Sequence, residues 1–115
     1  HHGSKTSSSQ ALLEAIRPEN VGVCCCAGSP EYKASAENTF PTQAFIDRIA
    51  QYTDNVFVTT LCVNYENDEY TSLNGNIVFW VNSSNILNLD CSNNETKLKD
   101  TEWFKINRVC PTSWQ

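Results

Sequence analysis

The chain contains no methionine and only two histidines, four glycines and four prolines among its 115 residues. Both histidines lie in His1-His2-Gly3-Ser4, which reads as the remnant of an affinity tag and its linker. Setting residues 1–4 aside leaves one expected domain, residues 5–115, of 115 − 4 = 111 residues and without histidine. Ser-His-Asp and Cys-His catalysis and His-containing zinc sites are thereby excluded. No Gly-x-Ser-x-Gly elbow is present, and the scattered glycines form no phosphate-binding loop. The missing initiator leads to the expectation of a fragment cut from a longer precursor whose signal or anchor has been removed.

Long apolar runs are also missing. The stretch Ile77 to Val81 is among the longest, far short of the roughly 20 residues that span a bilayer. A membrane is therefore expected as a partner only through a segment not contained in this chain. Basic residues are scarce, eight against 13 acidic, giving a net charge of −5. The nearest approach to a basic patch, Lys97, Lys99, Lys105 and Arg108, is interleaved with Glu95, Asp100 and Glu102. Nucleic acid is excluded as a partner, because it requires clustered lysine and arginine.

What is abundant is cysteine. Six in a chain of this length point to an oxidising compartment and a disulfide-stabilised, extracytoplasmic domain, secreted or at the cell surface. Zinc fits poorly, since no Cys-x-x-Cys pair occurs and the run Cys24-Cys25-Cys26 cannot readily fill separate corners of a tetrahedron. An extended backbone would turn Cys24 and Cys26 to one side and Cys25 to the other, with Cys62 a candidate partner for one of them. Redox-active or intermolecular thiols are the alternative use of that run. Joining Cys91 to Cys110 would close a loop of about 20 residues and contribute on the order of 3 kcal/mol in the chain-entropy picture.

The residue pattern predicts a helix from Gln10 to Arg17, with Leu12, Leu13 and Ile16 on one stripe, serines as N-cap candidates and Pro18 as its stop. Glu19 to Phe40 reads as irregular, with a turn at Gly28, Ser29 and Pro30. A second helix is expected from Thr42 to Tyr52, Pro41 lying near its first turn and Phe45, Ile49 and Tyr52 on its buried stripe. Strands are expected at Asn55–Tyr65 (central), Asn76–Val81, Ile86–Cys91 and Trp103–Cys110, with turns at Glu66–Tyr70, Asn74-Gly75 and Asn82–Asn85. The sum is an α+β fold whose N-terminal helical segments pack on a four-stranded antiparallel sheet, with no alternation suggesting a parallel nucleotide-binding sheet.

Glu66, Asp68 and Glu69 are the one dense carboxylate cluster, but they share a single expected turn rather than facing across a cleft, so glycosidic cleavage is not expected. With Asn64 they also offer oxygen ligands, yet complete no calcium loop. No catalytic, cofactor-binding or metal residue is assigned, no cofactor is implied, and the chain is read as a non-enzyme. Asn82-Ser83-Ser84 and Asn94-Glu95-Thr96 match the N-glycosylation acceptor pattern. Trp103 and Trp114 are candidates for core or interface.

A truncated N-terminal helix, an irregular loop, a four-stranded sheet and the cysteines Cys91 and Cys110 together resemble the soluble head of a type IV pilin, minor pilin or pseudopilin. The resemblance is one of layout over most of the chain. It implies a subunit that assembles into a pilus or fimbrial filament, with the disulfide loop exposed for cell adhesion or subunit contact. The expected function is thus a non-enzymatic binding or assembly module with a protein partner or itself. The alternatives are a secreted inhibitor or effector of a host or competitor protein, and a cytosolic acidic immunity-type protein steered to a basic toxin by its charge.

Overall fold

Helix α1 (Gln10–Ile16) starts at Ser9, whose hydroxyl accepts from the Leu12 amide at 3.3 Å and satisfies a donor that a first turn leaves unpaired. It stops at Arg17, which takes the left-handed conformation just before Pro18. Of the expected stripe only Leu13 is buried, while Leu12 and Ile16 face solvent. The structure, a computed structural model, describes residues 1–29, 35, 38–64, 67 and 69–115, without the side chains of residues 62–64.

Residues 1–8 are joined to the body by polar ties. The Gly3 carbonyl accepts from the Thr42 amide (2.8 Å) and hydroxyl (3.1 Å), and the Arg48 guanidinium donates to the carbonyls of Lys5, Ser7 and Ser8. The four residues read as a tag remnant therefore lie against the domain: His2 Nδ1 donates to the Cys24 carbonyl, and the His2 ring stacks on Phe40.

Where an irregular loop is expected, the chain forms strand β1 (Val21–Ala27), so the Cys24–Cys26 run is sheet rather than loop. The turn signals at Gly28 and Ser29 follow this strand's end and do not argue against it; Pro30 lies outside the described residues. Helix α2 (Gln43–Ile49) follows, capped by the Thr42 hydroxyl and burying Phe45, Ile46 and Ile49. Strand β2 (Val56–Asn64) then returns parallel to β1, Val21 opposite Val56 and Val23 opposite Val58. This β–α–β passage corrects the expectation of purely antiparallel pairing. The register slips between Val23 and Cys26. There the Thr59 hydroxyl accepts from the Cys25 amide (3.2 Å) and donates to the Cys25 carbonyl (2.9 Å), replacing ladder bonds that the slip removes.

The region expected as a turn before Asn74 also contains strand β3 (Glu69–Ser72), antiparallel to β2, which places β2 in the centre as expected. Strands β4 (Ile77–Val81) and β5 (Leu87–Cys91) pair with each other in a separate antiparallel sheet. The expected fourth strand is instead helix α3 (Glu102–Asn107). Its N-cap is Thr101, whose hydroxyl accepts from the Phe104 amide (3.2 Å), and Glu102 and Lys105 bond across one turn at 2.9 Å. Phe104 is buried and Ile106 is 78% exposed, so the alternation that suggested a strand has no buried face behind it. The described residues thus form an α+β fold with three helices, a mixed three-stranded sheet and a two-stranded one.

Val23, Val56 and Val58 of the main sheet pack with Leu13, Phe45, Ile46, Ile49, Phe104 and Trp114 into one core. A 3-10 turn at Leu98–Asp100 adds the fully buried Leu98. Asp54, just ahead of β2, accepts from Lys97 Nζ (2.9 Å) and Lys99 Nζ (2.6 Å), tying this turn to the sheet. Trp114 Nε1 donates to the Thr53 carbonyl, anchoring the C-terminal end beside it.

Candidate functional site

The β4–β5 hairpin is an arm set on the main domain by asparagines. Asn74, fully buried, donates from Nδ2 to the carbonyls of Val58 (2.9 Å) and Thr96 (3.0 Å) and accepts at Oδ1 from the Thr96 amide (2.8 Å). Asn93 Nδ2 donates to the carbonyls of Ser72 and Leu73, and Asn94 Nδ2 to that of Leu73 at 2.6 Å. Gly75 turns the chain at φ 68 with the Ser92 hydroxyl against it, where a side chain would collide. The Asn74-Gly75 turn chemistry read from the sequence is therefore the arm's entrance.

Side chains alternate across the arm. Ile77, Phe79, Leu89 and Cys91 form its inner face, half-buried, with Phe79 lying over Gly22 of β1. Beside this contact a cleft of about 530 Å³ is lined by Ile77 and Phe79 of the arm and by Gly22, Cys24 and Thr59 of the main sheet. Val78, Trp80, Asn88 and Asp90 form the outer face. Val78 is exposed and Trp80 is 43% exposed, its indole fixed by a bond from Nε1 to Asp90 Oδ2 at 2.5 Å. Val81, Ile86 and Leu87 are exposed at the tip, Val81 to 60%. Neither arm strand contains a buried residue. From Gly75 to Cys91 the only charged side chain is Asp90.

Compared with known protein families, curated proteins and solved structures, the chain matches none.

The cysteines are distributed over both sheets. Cys24 is exposed on β1, while Cys25 is half-buried against the core. Burial, with smaller contributions from the Cys26 and Cys24 neighbours, pushes the Cys25 thiol up to about 12, which removes it as a nucleophile at neutral pH. Cys26 lies opposite Thr60, so Cys62 stands two positions further along the neighbouring strand. Cys91 is on the arm, its thiol raised by burial and by Glu95 and Asp90; Cys110 packs against the main core. Cys24, Cys25, Cys91 and Cys110 carry thiols, so the Cys91–Cys110 bridge is not formed in this structure. The residues leading to Cys110, expected as a strand, form helix α3 instead.

A second cleft, of about 430 Å³, is lined by His1, His2, Ser4, Lys5, Phe40 and Thr42 among others. Its nearest approach to a catalytic pair is Ser4 Oγ to His1 Nδ1 at 3.4 Å. Among the described residues no three His, Cys, Asp or Glu side chains are grouped to hold a metal ion, and no helix is long and apolar enough to cross a membrane. Glu66 and Asp68 of the acidic cluster lie outside the described residues, as does the side chain of Asn64; Glu69 is exposed on β3. Trp114 is buried, and Trp103 is half-buried beneath the Arg108 guanidinium, 4.7 Å from the ring centre.

Lys97, Lys99 and Lys105 each bond a carboxylate, and Arg108 donates to the carbonyls of Thr39 and Pro41. These basic residues are engaged in holding the fold. Sequence reasoning found the arm's strands, Asn76–Val81 and Ile86–Cys91, but said nothing of their exposure, which follows from the separation of the two sheets.

Proposed function

We propose that this chain is a non-enzymatic, extracytoplasmic assembly module that joins copies of itself through the outer face of the β4–β5 arm. The observation that carries this reading is an apolar pair, Val78 and Trp80, whose indole is fixed by the Trp80–Asp90 bond, on a face where Asp90 is the single charged side chain. For a molecule of net charge −5, a face with one carboxylate, itself bonded to an indole N–H, is where like surfaces meet with least repulsion. In its most concrete form the module is a filament subunit of the pilin kind, serving adhesion or pilus assembly. In the oxidising compartment this reading requires, the cysteines are expected to be paired as disulfides.

The contact should be weak between two molecules. Five residues of strand span roughly 17 Å, and two strands roughly 10 Å, so one face offers about 170 Å² against the ~800 Å² per partner of a standard interface. Repetition along a filament would multiply that contact. Sedimentation velocity over a concentration series tests it: the average mass should rise with concentration for the natural chain and stay monomeric for Trp80→Ser with Val78→Ser. A natural chain that remains monomeric at the highest soluble concentration refutes self-assembly through the arm.

A further inference from the structure

Two acceptor patterns, Asn82-Ser83-Ser84 and Asn94-Glu95-Thr96, are equivalent as sequence, and their surroundings in the fold differ. Asn82 leads the turn at the arm's tip. Its Oδ1 accepts from the amides of Ser84 (2.9 Å) and Ile86 (3.0 Å), an Asx-turn that fixes the side chain while leaving Nδ2 with no acceptor among the described residues. Ser83 and Ser84 are exposed beside it. At Asn94 the arrangement is the reverse: Nδ2 donates to the Leu73 carbonyl at 2.6 Å, and Asn74 holds both the amide and the carbonyl of Thr96. A sugar on Asn94 would crowd Leu73 in the loop that closes over the buried Asn74.

We infer that Asn82, and not Asn94, is the acceptor for an N-linked oligosaccharide, and that the glycan covers the apolar tip formed by Val81, Ile86 and Leu87. This rests on the extracytoplasmic part of the reading above and not on self-assembly. The reaction joins Asn82 Nδ2 to the anomeric carbon of a lipid-linked diphospho-oligosaccharide. The carbon–oxygen bond to the diphosphate breaks, the lipid diphosphate leaves with the electron pair, and one amide proton passes to a base of the transferase. The other proton remains on Nδ2, and Oδ1 keeps its two bonds to the turn. Three exposed aliphatic side chains at a polar hairpin tip are otherwise an aggregation liability, which a bulky hydrophilic group there removes. The outer face with Val78 and Trp80 points away from the sheet and stays open.

The full chain, secreted behind a cleavable signal peptide from a eukaryotic cell, tests this. Expected is a single electrophoretic shift that peptide-N-glycosidase removes, converting Asn82 to Asp in the peptide map. The shift should disappear in Asn82→Gln and in Ser84→Ala and persist in Asn94→Gln. Ser84→Ala keeps the backbone amide that Asn82 Oδ1 binds, so the turn survives in at least one unglycosylated variant. Secreted natural chain with no glycan, or with its glycan on Asn94, overturns the inference. Because the sedimentation experiment is run on unglycosylated protein, failure here and failure of self-assembly are read separately.

Discussion

Asn74→Ala removes two donors and one acceptor from a fully buried position while deleting almost no apolar contact, so its cost is that of the groups it leaves behind. The Val58 and Thr96 carbonyls lose donors at 2.9 and 3.0 Å, and the Thr96 amide loses its acceptor at 2.8 Å. An unsatisfied buried group costs about 1–3 kcal/mol. The Val58 bond is buried and the two Thr96 bonds are part-buried, open to some repair by water, which brings the sum to about 2–4 kcal/mol. That is a large share of the roughly 5–15 kcal/mol that holds a domain folded. Urea unfolding followed by tryptophan fluorescence measures it as a lower midpoint at unchanged slope. Asn74→Asp should cost at least as much, because a carboxylate still accepts from Thr96 but donates to neither carbonyl. A loss below about 1 kcal/mol in both variants would refute the view that this one amide joins arm, sheet and the 93–96 loop.

Asp54 is held below the usual carboxylate range chiefly by its hydrogen bond from Lys99, then by that from Lys97. A depressed folded pKa contributes stability above the unfolded value near 3.8, and that stability is lost as pH falls through the lower folded value. Asp54→Asn should therefore destabilise by roughly 1 kcal/mol at neutral pH, both partners being partly exposed, with the difference shrinking below about pH 4. A constant difference from neutral pH to pH 3 would show that the charge plays no part. In the reduced protein at pH 8, about one Cys25 thiol in ten thousand is ionised, whereas Cys24 is exposed, so alkylation should mark Cys24 first and Cys25 only on unfolding. Equal labelling rates in the native protein would contradict the burial of Cys25.

Local chemistry was readable wherever a side chain acts on its own backbone neighbourhood. Ser9, Thr42 and Pro18 marked helix ends, Asn74-Gly75 and Asn82–Asn85 marked turns, and the β-branched run at Val56 marked the central strand. Errors came where the pattern was short or the decisive partner was distant. Trp103 to Cys110 carries two apolar residues in alternation, and the Thr101 cap with the burial of Phe104 outweighs that alternation. Val21 to Ala27 was obscured by its cysteines, and β3 by the polar residues around it. The candidate site was half legible, its strands from their composition and its exposure not at all.

The amino-acid sequence by itself determined the composition of the chemistry: few histidines and none beyond residue 2, no grouped glycines, an acidic balance, six cysteines and an uncharged stretch from Gly75 to Val81. It also determined most helix caps and turns, because those depend on residues within a few positions of one another. Only the tertiary structure decided that β1 runs parallel to β2, that β4 and β5 leave the main sheet, and that the buried Asn74, with Asn93 and Asn94, ties the arm to the main domain. Strand partners, and the face that remains open, are chosen by which apolar surfaces meet across the fold, and that competition involves residues far apart in the chain.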